Sequence, residues 1–227
     1  MTHRFVVGPD LALSREQARQ IASVLRLGPG DVVTLVSDGE ELDYRLDRVA
    51  PGAVAGTVVA RRAGAPPPRV ALTLALPLLR AEHTELVLES ATQLGAARFV
   101  PYTSARSVAR DVGTAKRARW ERIVREAIET SRRARVPEIA PLARWSELFG
   151  PLPRPVLVAW EGERATSLRD ALPREGTLSL VIGPEGGIAD DEIALARSAG
   201  AVTVSLGAAN LRAETAAIAA VAIALAG

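Results

Sequence analysis

The sequence predicts an α/β protein in which a small β-barrel precedes a larger domain built on a parallel sheet. Up to residue 61, three strand-like runs follow one another with turn residues between them, as in small antiparallel barrels. After residue 69, strand-like and helix-like segments alternate, which is typical of a parallel sheet covered on both faces. The segment RRAGAPPPR, residues 61–69, cannot continue a central strand. We therefore predict domains over residues 1–68 and 69–227.

The first domain is predicted to begin with one helix. Ser14 and Gln17 form a capping-box pattern, and Gly28-Pro29-Gly30 ends the helix. The apolar residues between them recur at helical spacing: Ala18, Ile21, Ala22 and Leu25. Strands are predicted over 31–37, 41–49 and 53–61, with turns at Ser37-Asp38-Gly39 and Pro51-Gly52.

The second domain alternates between strands and helices. Its strand-like runs are VALTLALPLL (70–79), AARFVPY (96–102), PVLVAW (155–160), LSLVIG (178–183) and AVTVSLG (201–207). Its helix-like runs are 82–95, 116 to about 133, 166–172, 189–200 and an Ala-rich C-terminal segment. Because ligands of parallel sheets bind beyond the carboxyl ends of the strands, we expect a site formed by Trp160-Glu161, the loop 183–187 and Leu206-Gly207.

The loop Gly183-Pro184-Glu185-Gly186-Gly187 lies between a predicted strand and a predicted helix. Glycine-rich turns in this position often bind phosphate through bare backbone N–H groups. This loop lacks the Gly-x-Gly-x-x-Gly spacing and the Lys-Ser/Thr ending of phosphate-binding motifs, and Glu185 would repel a phosphate. It therefore suits a cationic or neutral ligand, or one that backbone groups hold.

Composition narrows the chemistry. The chain has no cysteine and only two histidines, His3 and His83, which leaves little for a zinc site or a histidine-based triad, so no metal is expected. His83, one turn into a helix, is predicted to be a surface or capping residue. No apolar run approaches the ~20 residues of a membrane span, and the N-terminus lacks a signal-peptide core, so we expect a cytoplasmic protein without membrane contact.

Basic residues are concentrated in one part of the chain. Between Arg98 and Arg135, 11 Lys or Arg residues stand against four acidic ones. Such a stripe is typical of a partner with a phosphate backbone, and a solvated Arg-rich helix is the alternative. Trp120 and Ile123, within the same helix-like run, are predicted to pack in the core.

Three segments carry a family resemblance: IGPEGGI, SLGAANLRAETAAIAA and KRARWERIVREAIETSRRARVPEI. They resemble the ribosomal small-subunit methyltransferase E family, which belongs to the SPOUT superfamily of trefoil-knotted RNA methyltransferases. The pairing of Gly-Pro-Glu-Gly-Gly with Leu-Arg-x-Glu-Thr-Ala is specific, and the similarity covers essentially the whole chain. It implies a PUA-like β-barrel over 1–68 and a knotted methyltransferase domain over 69–227. It also implies a homodimer that uses S-adenosylmethionine to methylate uridine N3 in 16S ribosomal RNA of the small subunit.

The resemblance implies roles for individual residues. The residues expected to line the cofactor site are Gly183, Gly187, Leu206, Gly207, Leu211, Thr215 and Ala216. Those expected to bind RNA are Arg106, which matches a Ser-x-Arg pattern of the family, and Lys116, Arg132 and Arg133. Arg212 is the candidate for the cation that stabilises the uracil anion, and Glu214 is the candidate base. Glu214 could instead orient Arg212, with Glu185 as the base.

Two departures from the family pattern affect the substrate side. The family has Lys-Ala-Thr-Glu-Leu-Gly where this chain has Ser90-Ala91-Thr92-Gln93-Leu94-Gly95, and Gln-Ser/Cys-Gly-Arg where it has Thr130-Ser131-Arg132-Arg133. The competing function is a non-catalytic RNA-binding or ribosome-assembly protein with the same barrel and basic helix. A nucleotide-binding oxidoreductase or NTPase ranks last because the phosphate motifs are missing.

Overall fold

A computed structural model of the protein describes residues 3–107 and 111–225. The predicted domains, 1–68 and 69–227, also contain residues 1–2, 108–110 and 226–227, which lie outside the described residues. The chain forms two compact units. The first comprises Met1–Pro67 with Arg125–Val136, and the second comprises Pro68–Val124 with Pro137–Gly227.

The first unit is built on a four-stranded sheet in the order β1-β2-β3-β4. Its strands are β1 (Arg4–Val6), β2 (Val32–Ser37), β3 (Glu40–Ala50) and β4 (Ala53–Ala63). β1 runs parallel to β2, and the other pairings are antiparallel. Helix α1 (Arg15–Arg19) continues as a π-helical turn, Gln20–Val24. The predicted capping box is confirmed, because Ser14 Oγ accepts a hydrogen bond from Gln17 N and Gln17 Oε1 accepts one from Ser14 N.

The sheet of the first unit is open, so the predicted β-barrel is wrong in this respect. Within residues 3–107 and 111–225, no backbone pairing joins β4 to β1. The N–H of Val6 on edge strand β1 instead donates to Oε1 of Glu129 at 2.8 Å, and the guanidinium of Arg4 donates to the carbonyl of Arg133. Residues from the segment 125–136 thus occupy the edge that a closing strand would need.

Apolar side chains from the sheet and from the helical segment form the core of the first unit. Its fully buried members are Phe5, Ile21, Val33, Leu35, Leu42 and Leu46. In β2, Val33 and Leu35 are two residues apart and therefore point to the same face of the strand, toward Ile21 of the helical segment.

The second unit contains a parallel sheet, as the alternating pattern predicts. Its strands are β5 (Val70–Pro77), β6 (Arg98–Thr103), β7 (Glu138–Ile139), β8 (Ala143–Arg144), β9 (Val156–Ala159), β10 (Gly176–Ile182) and β11 (Val202–Val204). The order is β11-β9-β10-β5-β6-β7, with β8 also paired to β6. All of these pairings are parallel.

The helices of this unit follow the predicted positions, with one short addition. They are α2 (Ala81–Leu94), α3 (Thr114–Ser131), α4 (Trp145–Leu148), α5 (Leu168–Ala171), α6 (Asp190–Ser198) and α7 (Ala213–Leu225). Residues 125–131 of α3 belong to the first unit. Helix α2 ends where Gly95 adopts a φ of 109°, a left-handed conformation that glycine favours. Helix α3 ends two residues before its predicted end, because Arg132 has a φ of 60° and leaves the helical conformation.

Both faces of the parallel sheet are buried. Along β10, Leu180 belongs to a cluster with α2 and α7, whereas its neighbour Val181 belongs to a cluster with α4 and α6. Trp120 is 1% exposed and belongs to the cluster with α2 and α7, and Ile123 packs against that cluster. The predicted core role of both residues is therefore confirmed. Among the helices formed by residues 3–107 and 111–225, none has the length and apolarity that crossing a bilayer requires.

Candidate functional site

A cavity of about 1100 Å³ lies in the second unit, at the carboxyl ends of four neighbouring strands. These strands are β11, β9, β10 and β5. The lining consists of residues 78–80 and 83 after β5, 159–161 and 164 around the end of β9, 182–187 after β10, and 205–214 and 216 after β11. This is the edge at which parallel sheets bind their ligands. Trp160-Glu161, the loop 183–187 and Leu206-Gly207 therefore meet in one site, as expected. The connection between β5 and α2 also contributes to the lining.

Most of the predicted cofactor residues line this cavity. Gly183, Gly187, Leu206, Gly207, Leu211 and Ala216 do so, together with Arg212, Glu214 and Glu185. Thr215 does not belong to the lining, and its side chain is exposed on α7. Arg80, His83 and Arg164 also line the cavity, and no motif in the sequence marks them.

The glycine loop after β10 needs its glycines for internal reasons as well. Gly187 has a φ of 73°, a region that L side chains rarely adopt, and a Cβ there would lie 2.5 Å from Oε1 of Glu161. A Cβ on Gly183 would lie 2.9 Å from Cγ1 of Ile188. The bare backbone of this loop therefore follows from close packing within the second unit, in addition to the predicted close approach of a ligand.

Polar contacts hold the glycine loop and the start of α6 in place. The hydroxyl of Tyr102 donates to the carbonyl of Ile182 at 2.5 Å, and burial raises the pKa of that hydroxyl well above its ordinary value. Arg106 Nη1 donates to the carbonyl of Gly186 at 2.8 Å. Glu192 Oε1 accepts from Ala105 N, and its Oε2 accepts from Ala189 N at the start of α6. The loop after β6, which carries Arg106, is thus bonded to the glycine loop and to α6.

The loop after β9 is held by one carboxylate. Glu163 Oε1 accepts hydrogen bonds from three successive backbone N–H groups, those of residues 164–166, and Oε2 accepts from Thr203 Oγ1 at 2.6 Å. The hydrogen bond from Thr203, followed by those from the backbone, lowers the pKa of Glu163 from 4.5 to about 2. Arg164 Nη1 also donates to the carbonyl of Glu161. This cavity wall is therefore tied to the neighbouring strand β11.

Glu214 and His83 face each other in the cavity wall. The Glu214 residue is 8% exposed, and its Oε2 has no hydrogen-bond partner among the described residues. Nδ1 of His83, at the start of α2, lies 3.6 Å from that oxygen and is likewise without a hydrogen bond in the described part of the chain. His83, predicted to be a surface or capping residue, is partly exposed, and contact between α2 and α7 also brings it into the cavity wall. Arg212, by contrast, is exposed at the cavity.

Some arginines of the basic stripe, residues 98–135, make contacts within the protein. Arg117 donates to the carbonyls of Ile139 and Ala140, and Arg119 forms a two-point contact with the carboxylate of Glu85. These arginines therefore fix α3 to neighbouring elements of the second unit.

The predicted RNA-binding residues of the stripe differ in exposure. Lys116 Nζ, in the second unit, lies 5.2 Å from the centroid of the Trp120 ring. In the first unit, Arg132 is exposed, whereas Arg133 is half-buried and burial lowers the pKa of its guanidinium. Ser90 and Gln93, two positions in α2 where the sequence departs from the family pattern, do not line the cavity. Gln93 is exposed and Ser90 is half-buried.

Comparison with known proteins identifies the family. Residues 66–225 match the family model of the RNA methyltransferase domain. The ribosomal RNA small subunit methyltransferase E of Mycobacterium bovis is 36% identical over 221 residues, covering 92% of this chain and 84% of the relative. The enzyme of the same name from Bacillus subtilis is 30% identical over 223 residues, covering 92% and 86%. The chain belongs to the ribosomal RNA small subunit methyltransferase E family.

Solved structures agree with this assignment. The ribosomal RNA small subunit methyltransferase E of Neisseria gonorrhoeae, bound to S-adenosylmethionine, is 28% identical, with a TM-score of 0.88 over 98% of this chain and 96% of that one. A methyltransferase from Legionella pneumophila in complex with S-adenosylmethionine is 26% identical, with a TM-score of 0.91 over 100% and 98%. The resemblance found in the sequence is thus confirmed, and this member of the methyltransferase E family is an RNA methyltransferase.

Proposed function

We propose that the protein transfers a methyl group from S-adenosylmethionine to N3 of a uridine in the 16S ribosomal RNA of the small subunit. One observation carries the proposal: a buried carboxylate, Glu214, and a guanidinium, Arg212, stand in the wall of a large cavity at the carboxyl ends of the parallel strands. A base and a cation are the two groups that methylation of a uracil nitrogen requires.

The cavity suits S-adenosylmethionine in size and chemistry. Its volume of about 1100 Å³ slightly exceeds the usual range for small-molecule sites, which leaves room for a cofactor and a uracil base. The glycine loop offers backbone groups, and the side chains of Leu206, Leu211 and Ala216 offer apolar surface for an adenine ring. The carboxylates of Glu161, Glu185 and Glu214 favour a cationic ligand over a phosphate. We propose that these residues hold the cofactor; the role of Thr215 stays a prediction.

Glu214 and Arg212 divide the chemistry. Bound S-adenosylmethionine supplies a methyl group on a positively charged sulfur, which keeps the electron pair of the broken C–S bond. The uracil N3 is a poor nucleophile until its proton leaves, and the buried oxygen of Glu214 accepts that proton. The negative charge that develops on the uracil spreads onto its carbonyl oxygens, and the guanidinium of Arg212 stabilises it, since this group stays protonated.

We infer that both units contact RNA. The first unit acts as an RNA-binding module related to the PUA domain, and residues 69–227 form the SPOUT methyltransferase domain with its trefoil knot. Exposed Arg132, half-buried Arg133 and Lys116 supply positive charge for phosphates. Support comes from the family to which the chain belongs and from the basic composition of the stripe. A ribosomal substrate places the enzyme in the cytoplasm.

We propose that the enzyme is a homodimer. Helix α7 is apolar along almost its whole length, and Ile218, Ile223 and Leu225 remain partly exposed on it. A symmetric contact that buries these side chains is the expected arrangement. Light scattering should therefore give twice the chain mass, and a value of 23.9 kDa at working concentration would contradict the dimer.

The function is tested with small ribosomal subunits from cells that lack this enzyme. The subunits are incubated with the protein and labelled S-adenosylmethionine, and the RNA nucleosides are analysed by mass spectrometry. We expect labelled 3-methyluridine. A different methylated nucleoside would refute the N3 assignment but would still show that the protein is a methyltransferase. A folded protein that binds both RNA and cofactor but transfers no label would favour the non-catalytic RNA-binding function.

A further inference from the structure

His83 and Glu214 form a pair in the wall of the cavity. The side chain of Glu214 is 10% exposed. Nδ1 of His83 lies 3.6 Å from Oε2 of Glu214. Neither atom has a hydrogen bond among the described residues. Buried polar atoms without partners are rare, because each costs about 1–3 kcal/mol. Nδ1 of His83 and Oε2 of Glu214 face each other in the cavity wall, so a small approach of the two side chains allows a proton to pass between them.

The same histidine connects the cavity with solvent. The side chain of His83 is 25% exposed, and its Nε2 lies 3.9 Å from Oε1 of Glu82, whose side chain is 79% exposed. The three side chains thus form a row from the buried Glu214 through His83 to the surface. Both separations exceed a hydrogen bond, so each transfer needs an approach of roughly 1 Å or one bridging water.

We propose that His83 carries the substrate proton from Glu214 to solvent after each methyl transfer. This inference rests on the proposed methylation of uridine N3. The N3–H bond breaks and an O–H bond forms at Glu214 Oε2, which leaves an electron pair on N3 for the new bond to carbon. The carboxylic acid then gives its proton to Nδ1 of the neutral imidazole, which restores the carboxylate. The imidazolium releases its Nε2 proton to solvent beside Glu82. Proton exchange with water then returns the neutral ring to its Nε2–H tautomer, so that Nδ1 is free to accept a proton in the next turnover.

Carboxylates lie at both nitrogens of the His83 ring. Oε2 of Glu214 is near Nδ1 and Oε1 of Glu82 is near Nε2, and Arg80 and Arg212 line the same cavity. Histidine is the side chain whose two nitrogens can accept a proton on one side and release one on the other.

The decisive experiment follows several turnovers of the His83→Gln variant on small ribosomal subunits. Because Glu214 can accept one proton before it must pass that proton on, the first methylation should proceed near the wild-type rate, and later turnovers should slow by roughly 10-fold or more. Added imidazole should accelerate the slow phase. His3→Gln, the same change at the other histidine of the chain, lies in the first unit and should show neither effect. Calorimetric titration with S-adenosylmethionine checks that His83→Gln is folded.

A second measurement needs no turnover. In NMR spectra of the cofactor-free protein, Glu214→Gln should shift the imidazole signals of His83 and leave those of His3 in place. Unchanged His83 signals would overturn the inference, as would a His83→Gln enzyme whose turnovers are all equally fast, or all equally slow and insensitive to imidazole. A wild-type protein that methylates no RNA would overturn the proposed function and this inference together. An active wild type with unaltered His83→Gln kinetics overturns the inference alone.

Discussion

Arg106 donates a hydrogen bond from Nη1 to the carbonyl oxygen of Gly186, at 2.8 Å. The bond joins the loop after β6 to the glycine loop after β10, which forms one wall of the cavity. The Ser-x-Arg pattern assigned this arginine to RNA. Its position in the second unit gives it a second task, because a loop with three glycines in five residues depends on neighbours to fix its shape.

Arg106→Ala should therefore weaken cofactor binding. Loss of a charge-assisted hydrogen bond at an exposed site costs about 1 kcal/mol, or roughly five-fold in affinity. Calorimetric titration with S-adenosylmethionine measures the change. Lys116→Ala is the matched control, because Lys116 is a cation outside the cavity lining and its removal should leave cofactor affinity unaltered. If Arg106→Ala lowers RNA affinity alone, its role is limited to RNA.

Two neighbouring residues on α7, Thr215 and Ala216, differ in whether they line the cavity. Ala216 lines the cavity, whereas Thr215 is exposed outside the lining. Ala216→Leu should reduce cofactor affinity by roughly 10-fold or more, because overfilling a packed site costs about 1–3 kcal/mol. Thr215→Val, which removes only a hydroxyl, should bind the cofactor as the wild type does. Equilibrium dialysis with labelled S-adenosylmethionine compares them, and a large loss in Thr215→Val would restore Thr215 to the cofactor site.

Elements with a regular period could be predicted from the sequence, and short elements could not. The alternation of segments gave the parallel sheet and its helices because each run is long enough to show a period of 2 or 3.6. Strands β7 and β8 have two residues each and α4 has four, which is too few for any period. The open sheet was missed for another reason. The segment 125–136, which occupies the edge of β1, lies some 120 residues further along the chain than the strand it contacts.

The site was predictable where local motifs mark it. The glycine loop and the Leu-Arg-x-Glu-Thr-Ala segment are local patterns, and both line the cavity. His83 carries no such signal, because its role depends on the packing of α2 against α7, between residues far apart in the chain. Arg106 was assigned to one task from its motif, and only the structure shows its contact with Gly186.

The carboxylate of Glu163 makes a pH-dependent contribution to stability. Its pKa is lowered to about 2 from 4.5, so folding favours the ionised form. The contribution is complete above pH 4.5 and is lost as the pH falls toward 2. Urea unfolding of wild type and Glu163→Gln should therefore differ most near neutral pH, with the wild type more stable, and the two should converge below pH 4.5. A difference that does not change between pH 7 and pH 3 would show that the Glu163 charge is not what holds the loop.

Arg212 should act on the rate and not on RNA binding. If its guanidinium stabilises charge that develops only during methyl transfer, Arg212→Ala lowers kcat and kcat/KM together, by roughly 100-fold or more. Raising the pH should partly rescue the variant, because solvent then supplies more of the uracil anion. Single-turnover methylation of small subunits across pH measures both effects. Loss of RNA affinity with an unaltered rate at saturating RNA would move Arg212 from the catalytic group to the binding surface.

Arg132 combines backbone strain with an exposed charge. Its φ of 60° lies in the region that favours glycine, and the family pattern has glycine at this position. Arg132→Gly should therefore raise the free energy of unfolding by up to about 1 kcal/mol, because the left-handed conformation no longer crowds a Cβ. The same change removes a cation from the proposed RNA surface, so RNA affinity should fall and the slope of log affinity against log salt should decrease by about one.

Arg132→Gly is expected to raise stability and to weaken RNA binding, so the two effects of this variant can be told apart. Arg132→Lys retains both the strain and the charge, so it should change neither stability nor salt dependence appreciably. Urea unfolding and filter binding of a 16S RNA fragment at several salt concentrations measure the two properties on the same variants. If Arg132→Gly gains stability and keeps the wild-type salt slope, Arg132 makes no phosphate contact. If it loses affinity together with stability, the side chain supports the fold of the first unit, and the weaker binding follows from that damage.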